Sequence, residues 1–532
     1  MIADTLQHKD NLNATSSAFL EIEHFFVLML ENRSFDHLLG CSGLYSPGRP
    51  TIRESCPSDF TTSPRRLIPP TCNATDGMDV DVPHEFHDVW YQMTGNKYGA
   101  LLHRILGAHL RLPMNGFAAS AKHGLLRGEN DSRKARLSLI RSQGEYAMQC
   151  QGEDSVPILR QLAERFAVCD RWFSSMPGPT WPNRFFVHAA TSGGLDNSPS
   201  VKRMFKAIVL NRKYGFDFLN GTIYDKLGDR QWRIYHDDLI PQVLAIRGMA
   251  RRRIFDPKGH FRRVDNLATD LARAKSFPRY VFIEPTYDAL NDGYSGNSQH
   301  PVGLVSAGEI LIKKVYEAIR KSSFWRKSAL VITYDEHGGF FDRVSPPPNI
   351  QPPKDDLRNR NEAEYRGGFD FTRLGVRVPA VVISPWVEAG KIDSTVYDHT
   401  SILHTVEDRF GLKSLTKRDE TANTFSHLFS RSKPRMTPDD APLVVLRDAP
   451  TVPEEPRKGR PSDDRSDDEA FRGNEAGFLG IAMSIDALLS ERDETEVHIP
   501  EITSRAAARE YMNTIAERLG DPPDLDDNQS RP

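Results

Sequence analysis

Apolar positions along this chain follow two patterns. Four runs are continuously apolar and rich in Val, Ile and Phe: residues 24–30 (HFFVLML), 279–285 (RYVFIEP), 329–336 (ALVITYDE) and 379–385 (PAVVISP). A run without alternation reads as a strand buried on both faces, the expected state of a parallel strand covered by helices. Between these runs apolar residues recur every three to four positions, as in 155–168 (SVPILRQLAERFAV) and 306–322 (SAGEILIKKVYEAIRKS). That is the period of an amphipathic helix. Strand–helix alternation predicts an α/β fold, a doubly wound, mostly parallel sheet flanked by helices. Ligands bind such sheets beyond the carboxyl ends of the strands. Three of the four runs carry acids there: Glu31, Glu284, and the pair Asp335–Glu336.

Two stretches interrupt the alternation. Residues 40–82 are rich in Pro, Ser and Thr, and 345–368 (SPPPNIQPPKDDLRNRNEAEYRGG) follows the second acidic cluster directly. A long polar loop beside a site is a lid or specificity loop, or a plain surface excursion. From Pro450 the composition changes. Residues 450–474 are charged and proline-rich, the signature of a flexible linker. Residues 477–494 and 504–520 read as two amphipathic helices, the first with Phe478, Ile481, Ile485, Leu488 and Leu489 near one face. The expected organisation is a catalytic domain over 1–449, a linker over 450–475 and a small helical C-terminal extension over 476–532. The extension is expected to pack on the main body or on a partner. Its polar faces carry no marked basic excess, which argues against a membrane role for these two helices.

Composition narrows the class. The chain has 532 residues, 39% hydrophobic and 27% charged, an ordinary globular balance. A net charge of −3 offers no field for nucleic acid. No apolar run approaches the roughly 20 residues of a membrane span. The N-terminal MIADTLQHKDNLNATSS lacks a basic segment followed by an apolar one. This predicts a cytoplasmic protein, or one that leaves by a signal-less route. Five cysteines (Cys41, Cys56, Cys72, Cys150, Cys169) form no CxxC pair. Such a sparse, odd set fits a reducing compartment, although the first three can still supply a loop disulfide.

The chemistry-bearing residues gather at element ends. Asp335 and Glu336 are adjacent, and where a strand ends the chain turns, so both can reach one ion. Two carboxylates meeting Glu31 repel unless one is protonated or a cation joins them, and a divalent cation with oxygen ligands resolves the conflict. Gly338 and Gly339 permit a tight turn after His337. The competing reading makes Asp335–Glu336 plain helix caps. In SSMPGPTWPNRFFVHAATSGG (174–194) a rigid Pro-Gly-Pro turn opens a helix at Thr180. There a hydroxyl is either a simple N-cap or a nucleophile placed where free N–H groups favour an anion. DVPHEFHDVW (81–90) spaces His84 and His87 as H-E-x-H, not as the H-E-x-x-H of zinc proteases. His300 lies in a Gly/Asn/Ser loop, where a surface role is the bland alternative. YDHTSILHTVEDRFG (397–411) reads as a helix with His399 and His404 structural.

Taken together these blocks resemble a known family. ENRSFDHLLG, PHEFHD, MNGF, PGPTWPNRFFVHAATSGG, YVFIEP, HP at 300–301, TYDEHGGFFDRV, RVPAVVISPW and YDHTSIL occur in family order across about residues 24–412. The chain resembles the phosphoesterase family of non-haemolytic phospholipases C from bacteria and plants, which also includes a bacterial acid phosphatase. The resemblance implies an alkaline-phosphatase-like core. It implies metal ligands at Glu31, Asn32, Asp335 and Glu336, and a nucleophile at Thr180. It implies phosphoryl-site histidines at His84, His300 and His337. Asn183 and Arg184 fall in a matched block without an implied role. Arg33 is expected to tie the turn together, and Asp36 and His37 to cap or orient the next helix.

The family's phospholipases have Thr at the nucleophile position and its acid phosphatase has Ser, so Thr180 favours diesters. The implied reaction is metal-dependent hydrolysis of phosphatidylcholine-type phospholipids to diacylglycerol and phosphocholine through a phosphothreonine. The partners implied are a phospholipid or other phosphoester substrate and a transient contact with a membrane surface. The oxygen-rich ligand set suits calcium, magnesium or manganese, with zinc also open. Three other readings stand beside this one: an acid phosphatase acting on monoesters, a hydrolase that prefers another diester or sphingomyelin, and a non-catalytic binding or scaffold protein with a vestigial site.

Overall fold

The four apolar runs form the middle of one sheet. The computed structural model describes residues 17–44, 56–57, 67–78, 81–125, 144–199, 215–238, 240–255, 259–288, 296–354, 368–436, 474–495, 502 and 504–521. Eight strands make the sheet: β1 (His24–Leu30), β2 (Ala167–Cys169), β3 (Trp232–His236), β4 (Phe261–Arg263), β5 (Tyr280–Glu284), β6 (Ser328–Tyr334), β7 (Ala380–Ile383) and β8 (Lys391–Asp393). Their order is β8–β2–β7–β6–β1–β5–β3–β4. Strand β1 pairs in parallel with β6 along its whole length, from His24↔Ser328 to Leu30↔Tyr334, and with β5 on its other side. Every residue of β1, β5 and β6 is buried, which is why these strands read as unbroken apolar runs.

The run at 379–385 departs from expectation. Strand β7 is antiparallel to both neighbours, β6 and β2. A parallel return needs a crossover, usually a helix. No helix lies between β6 and β7 among the described residues, and the chain re-enters the sheet at the end where β6 left it, Ala380 beside Thr333. The sequence pattern also missed β2, β3, β4 and β8. These are short, β4 contains two arginines, and two of the three β8 residues are exposed.

The flanking helices follow their predicted periods. Helix Val305–Lys321 matches its pattern. Helix Pro157–Arg165 starts with Pro in its first turn and stops early because residues 167–169 join the sheet. Loop 345–368 is pinned at its described end: Ile350 N–H donates to Thr372 O at 2.8 Å, and Arg418 Nη1 to Gln351 O at 3.1 Å. The rest of that expected lid, 355–367, and the linker 450–473 lie outside the described residues. Cys41 and Cys72 are joined in a disulfide, while Cys150 and Cys169 are buried thiols. No described helix is long and apolar enough to cross a membrane.

Two C-terminal helices are present, Asn474–Asp493 and Arg505–Leu519. The first is not amphipathic in place: every side chain from Glu475 to Ser490 is buried. A Cβ on Gly477 would stand 2.1 Å from Trp181 Cζ2, so the glycine lets the indole lie against the helix. The helix packs on the main body and joins the same apolar cluster as the sheet. A second, smaller apolar cluster combines residues from 82–121 with Phe340, Phe341, Phe369 and Phe371.

Candidate active site

The site begins where the two central strands end. Leu30 pairs with Tyr334 in parallel register, so Glu31 and Asp335 leave the sheet side by side. Asn32 takes a left-handed backbone, φ 58°, which a non-glycine residue adopts only under constraint. Its N–H donates to Asp335 Oδ1 at 3.0 Å. The Gly338–Gly339 turn, at φ 64° and 74°, closes over this point. A Cβ on Gly338 would stand 2.1 Å from the Asn32 carbonyl oxygen, and one on Gly339 2.5 Å from Val82 Cγ1. The glycines therefore serve close approach as well as the turn. They let the Asp335–Glu336 strand end meet Asn32 on one side and the His84 segment on the other.

Thr180 is the first residue of helix Thr180–Ala189, and Pro179, not Thr180, is its N-cap. The buried hydroxyl does not cap. It donates to Asn32 Oδ1 at 3.3 Å, while Asn32 Nδ2 lies 3.1 Å from His84 Nε2. His84 Nδ1 in turn bonds Val82 O at 2.6 Å, which fixes the ring with Nε2 facing the site. His84 Nε2 lies 3.9 Å from Glu336 Oε1, and His300 Nε2 lies 3.9 Å from Asp81 Oδ1. One ligand atom each from Asp81, His84 and His300 fall within 4.8 Å of one another. This is a set able to hold a divalent metal ion. Asp81 carried no sequence signal beyond its place three residues before His84.

Charge is concentrated here without matching countercharge. Glu31, Asp335 and Glu336 are all fully buried. Burial, only partly offset by Arg184, and the Asp335 and Glu336 carboxylates push Glu31 up to about 8. Burial, again partly offset by Arg184, pushes Asp335 up to about 6. Burial works against charge on His84, but the Glu336 and Asp81 carboxylates outweigh it and push the imidazole up to about 10. Glu31 Oε1 and Glu336 Oε1 are buried with no hydrogen-bond partner among the described residues. Buried carboxylate oxygens left unpaired are costly, and a divalent cation is the group their charge and oxygen donors fit.

The other predicted residues divide between the site and its supports. His337 is buried behind Glu336, with Nε2 on Gln92 Oε1 at 2.7 Å and Nδ1 3.3 Å from Glu336 Oε2. That position sets the His337 ring between Gln92 and Glu336. Arg33 ties the turn as expected: Nε donates to Gln299 O at 2.6 Å and Nη2 to His300 O at 3.2 Å, fixing the loop that carries His300. The cap of helix Phe35–Leu39 is Ser34, not Asp36 or His37. Asp36 instead accepts from Arg377 Nη2 at 3.0 Å, and His37 bridges Arg33 and Gln149 O. Glu284, counted among the strand-end acids, lies outside the site; it accepts the N–H groups of Gln242 and Val243 and the Tyr287 hydroxyl.

Three supporting residues were beyond sequence reasoning. Asn183 braces the Pro-Gly-Pro turn, accepting from Met176 N–H at 3.0 Å and donating to the carbonyls of Gly178 and Pro179. Arg184 is wholly buried, bonded to Asp335 Oδ2 at 3.2 Å and to the carbonyls of Met29 and Leu30. His399 Nε2 donates to Asp335 O at 2.6 Å while Nδ1 accepts from Trp172 Nε1. The only available signal was indirect, a polar residue inside an otherwise apolar helix. From outside the expected catalytic domain, Phe478 packs on Trp181 (centroids 5.6 Å apart) and on Tyr287 (5.3 Å), whose ring lies under the Arg184 guanidinium.

Comparison of the sequence with known proteins gives one family. The phosphoesterase family matches residues 22–413. Non-specific phospholipase C6 of Arabidopsis thaliana is 34% identical over 453 residues, covering 82% of this chain and 77% of that protein. Phospholipase C B of Mycobacterium tuberculosis (strain ATCC 25618 / H37Rv) is 26% identical, covering 78% of each. A solved protein of the alkaline phosphatase superfamily from Vibrio parahaemolyticus is 13% identical, with a TM-score of 0.29 over 51% of this chain and 65% of that one. With the matched region spanning the whole sheet and every residue of the Thr180 site, the chain belongs to the phosphoesterase family.

Proposed function

We propose that this protein is a phospholipase C that cleaves phosphatidylcholine-type lipids to diacylglycerol and phosphocholine, with Thr180 as nucleophile. The observation that carries the assignment is the Thr180 hydroxyl at a helix start, hydrogen-bonded to an Asn32 held against Asp335 and His84. Family membership and relatives named phospholipase C support the substrate class. Glu31, Asn32, Asp335 and Glu336 would hold a divalent cation, with Asp81, His84 and His300 beside it. When bound, such an ion lowers the pKa of a nearby hydroxyl and withdraws charge from a phosphoryl oxygen.

The chain's own groups then divide the work. Thr180 Oγ1 forms a bond to phosphorus as the bond from phosphorus to the glycerol oxygen breaks. The threonine proton passes to His300, and the departing alkoxide takes a proton from His84, which the Glu336 and Asp81 carboxylates keep charged. Water, deprotonated by the same pair, hydrolyses the phosphothreonine and frees Thr180, the two-step logic of covalent catalysis. Asn183 and the Pro-Gly-Pro turn hold Thr180, and Arg184 and His399 hold Asp335, so the reacting geometry is set before substrate arrives.

Mass spectrometry of products tests this, using phosphatidylcholine and a simple phosphate monoester, each with and without chelator. The expected result is phosphocholine and diacylglycerol, lost on chelation and restored by a divalent ion. Inorganic phosphate from the monoester, with the lipid untouched, would move the protein to the phosphatase branch. A Thr180→Ala variant with near-normal turnover would overturn the nucleophile assignment.

A further inference from the structure

Eleven large apolar side chains are exposed among the described residues, and four of them fall within residues 98–106: Tyr98 (59% exposed), Leu101 (51%), Ile105 (70%) and Leu106 (44%). They lie on or beside helix Gly99–Leu106. Tyr98, Leu101 and Ile105 are spaced as one stripe of a helix surface. The opposite side of the helix is closely packed. His103 is buried, stacks on Trp90 (4.6 Å between centroids) and bonds Asp370. A Cβ on Gly99 would stand 2.6 Å from the Trp90 carbonyl oxygen. Arg373 holds the carbonyls of Ala108 and Leu110 just beyond the helix. The apolar stripe is therefore presented by a helix braced on its inner side and at its exit.

Charge along this stretch of chain has one sign, and the acid that meets it from outside, Asp370, is bonded to His103. Exposed Lys97, Arg104 and Arg111 flank the stripe. No Asp or Glu occurs from Val89 to Gly128, a stretch with five Lys and Arg in a chain of net charge −3. Apolar residues projecting between cations match a surface of phosphate head groups over acyl chains, the surface in which the proposed substrate is presented. The stripe is also rigidly linked to the site. Trp90, under His103, belongs to helix Phe86–Thr94, which starts two residues after His84. Gln92 of that helix holds His337.

We infer that helix Gly99–Leu106 and its flanks form the surface by which the protein docks on a phospholipid bilayer, with Tyr98, Leu101, Ile105 and Leu106 inserted and Lys97, Arg104 and Arg111 on the phosphates. The inference rests on the proposed phospholipid substrate and adds the face that meets it.

Flotation of the full-length protein with vesicles of phosphatidylcholine and phosphatidylglycerol tests it, in chelator so that binding is read without hydrolysis. The wild type is expected to float. Leu101→Glu/Ile105→Glu should reduce the bound fraction about tenfold or more, while hydrolysis of a soluble short-chain phosphodiester stays unchanged. Lys97→Gln/Arg104→Gln/Arg111→Gln should remove the part of binding that salt weakens. A protein that floats yet cleaves no lipid would fail the phospholipase reading alone and leave docking standing. A wild type that does not float, or a Glu double variant that floats as well as wild type, would overturn the docking surface. So would a wild type whose self-association, rather than flotation, is lost in the double variant.

Discussion

Replacing Gly338 by alanine tests the geometry of the site at its tightest point. At φ +64° the new Cβ would stand 2.1 Å from the Asn32 carbonyl oxygen and 3.0 Å from Asn32 Cβ. An ordinary carbon–oxygen approach is about 3.3 Å, so roughly 1 Å of movement must be found. Asn32 cannot yield it without cost, since its N–H is bonded to Asp335 and its side chain joins Thr180 to His84. The left-handed backbone alone costs about 1–2 kcal/mol, of which the stiffer unfolded chain returns about 0.4–1 kcal/mol. The overlap adds roughly 1–3 kcal/mol. Gly411→Ala isolates the backbone part, because Gly411 has the same φ of +64° with nothing within 4 Å of its Cβ. Denaturant titration should therefore place Gly338→Ala below Gly411→Ala by about the overlap cost of 1–3 kcal/mol. A displacement of about 1 Å beside the nucleophile should lower kcat on a soluble phosphodiester about a hundredfold, with Gly411→Ala near wild type. Equal stabilities for the two variants and wild-type kcat for Gly338→Ala would refute the reasoning.

Other outcomes follow from the same structure. Phe478→Ala should cost about 3–5 kcal/mol in denaturant titration and lower kcat through Trp181 and Tyr287; a loss under about 1 kcal/mol would contradict the packing of the C-terminal helix on the site. Folding must protonate the buried Glu31, pushed up to about 8, at neutral pH, and Glu31→Gln removes that cost; in chelator its thermal midpoint should equal or exceed wild type, while the rise in midpoint on adding a divalent ion shrinks and activity falls. A wild-type-sized rise would remove Glu31 from the ligand set. Burial, helped by Arg184 for His188 and by Arg253 and Arg263 for His236, holds both imidazoles down at about 3. Their folded values lie below the unfolded one of about 6.5, so their contribution is intact above pH 6.5 and declines as pH falls toward 3. Each should add about 1.4 kcal/mol of destabilisation per pH unit in that window, and His188→Asn should flatten the slope by one histidine's share.

Legibility in the sequence followed how local each feature is. Thr180, Glu31, Asn32, Asp335 and Glu336 sit at abrupt ends of apolar runs or at a Pro-Gly-Pro turn, where a few neighbouring residues reveal an element boundary. The same signal misled at Glu284, which ends a strand but serves as a hydrogen-bond acceptor for Gln242 and Val243. His337 lies one residue from Glu336 in sequence, yet its ring is turned to Gln92, 245 positions away. Arg184 and Asp335 are 151 positions apart, and no local pattern encodes that meeting.

The sequence by itself determined the class of fold, the four central strands, the start of the Thr180 helix and the residue types available for chemistry. Burial imposes continuous apolarity, and helix and strand periods are properties of neighbouring residues. Tertiary structure alone decided the direction of β7, the membership of the short strands and the burial of residues 475–490 behind Trp181. It also decided which buried oxygens lack partners. These depend on contacts between distant segments, where close packing and the cost of unpaired buried charge select one arrangement among many that the local patterns allow.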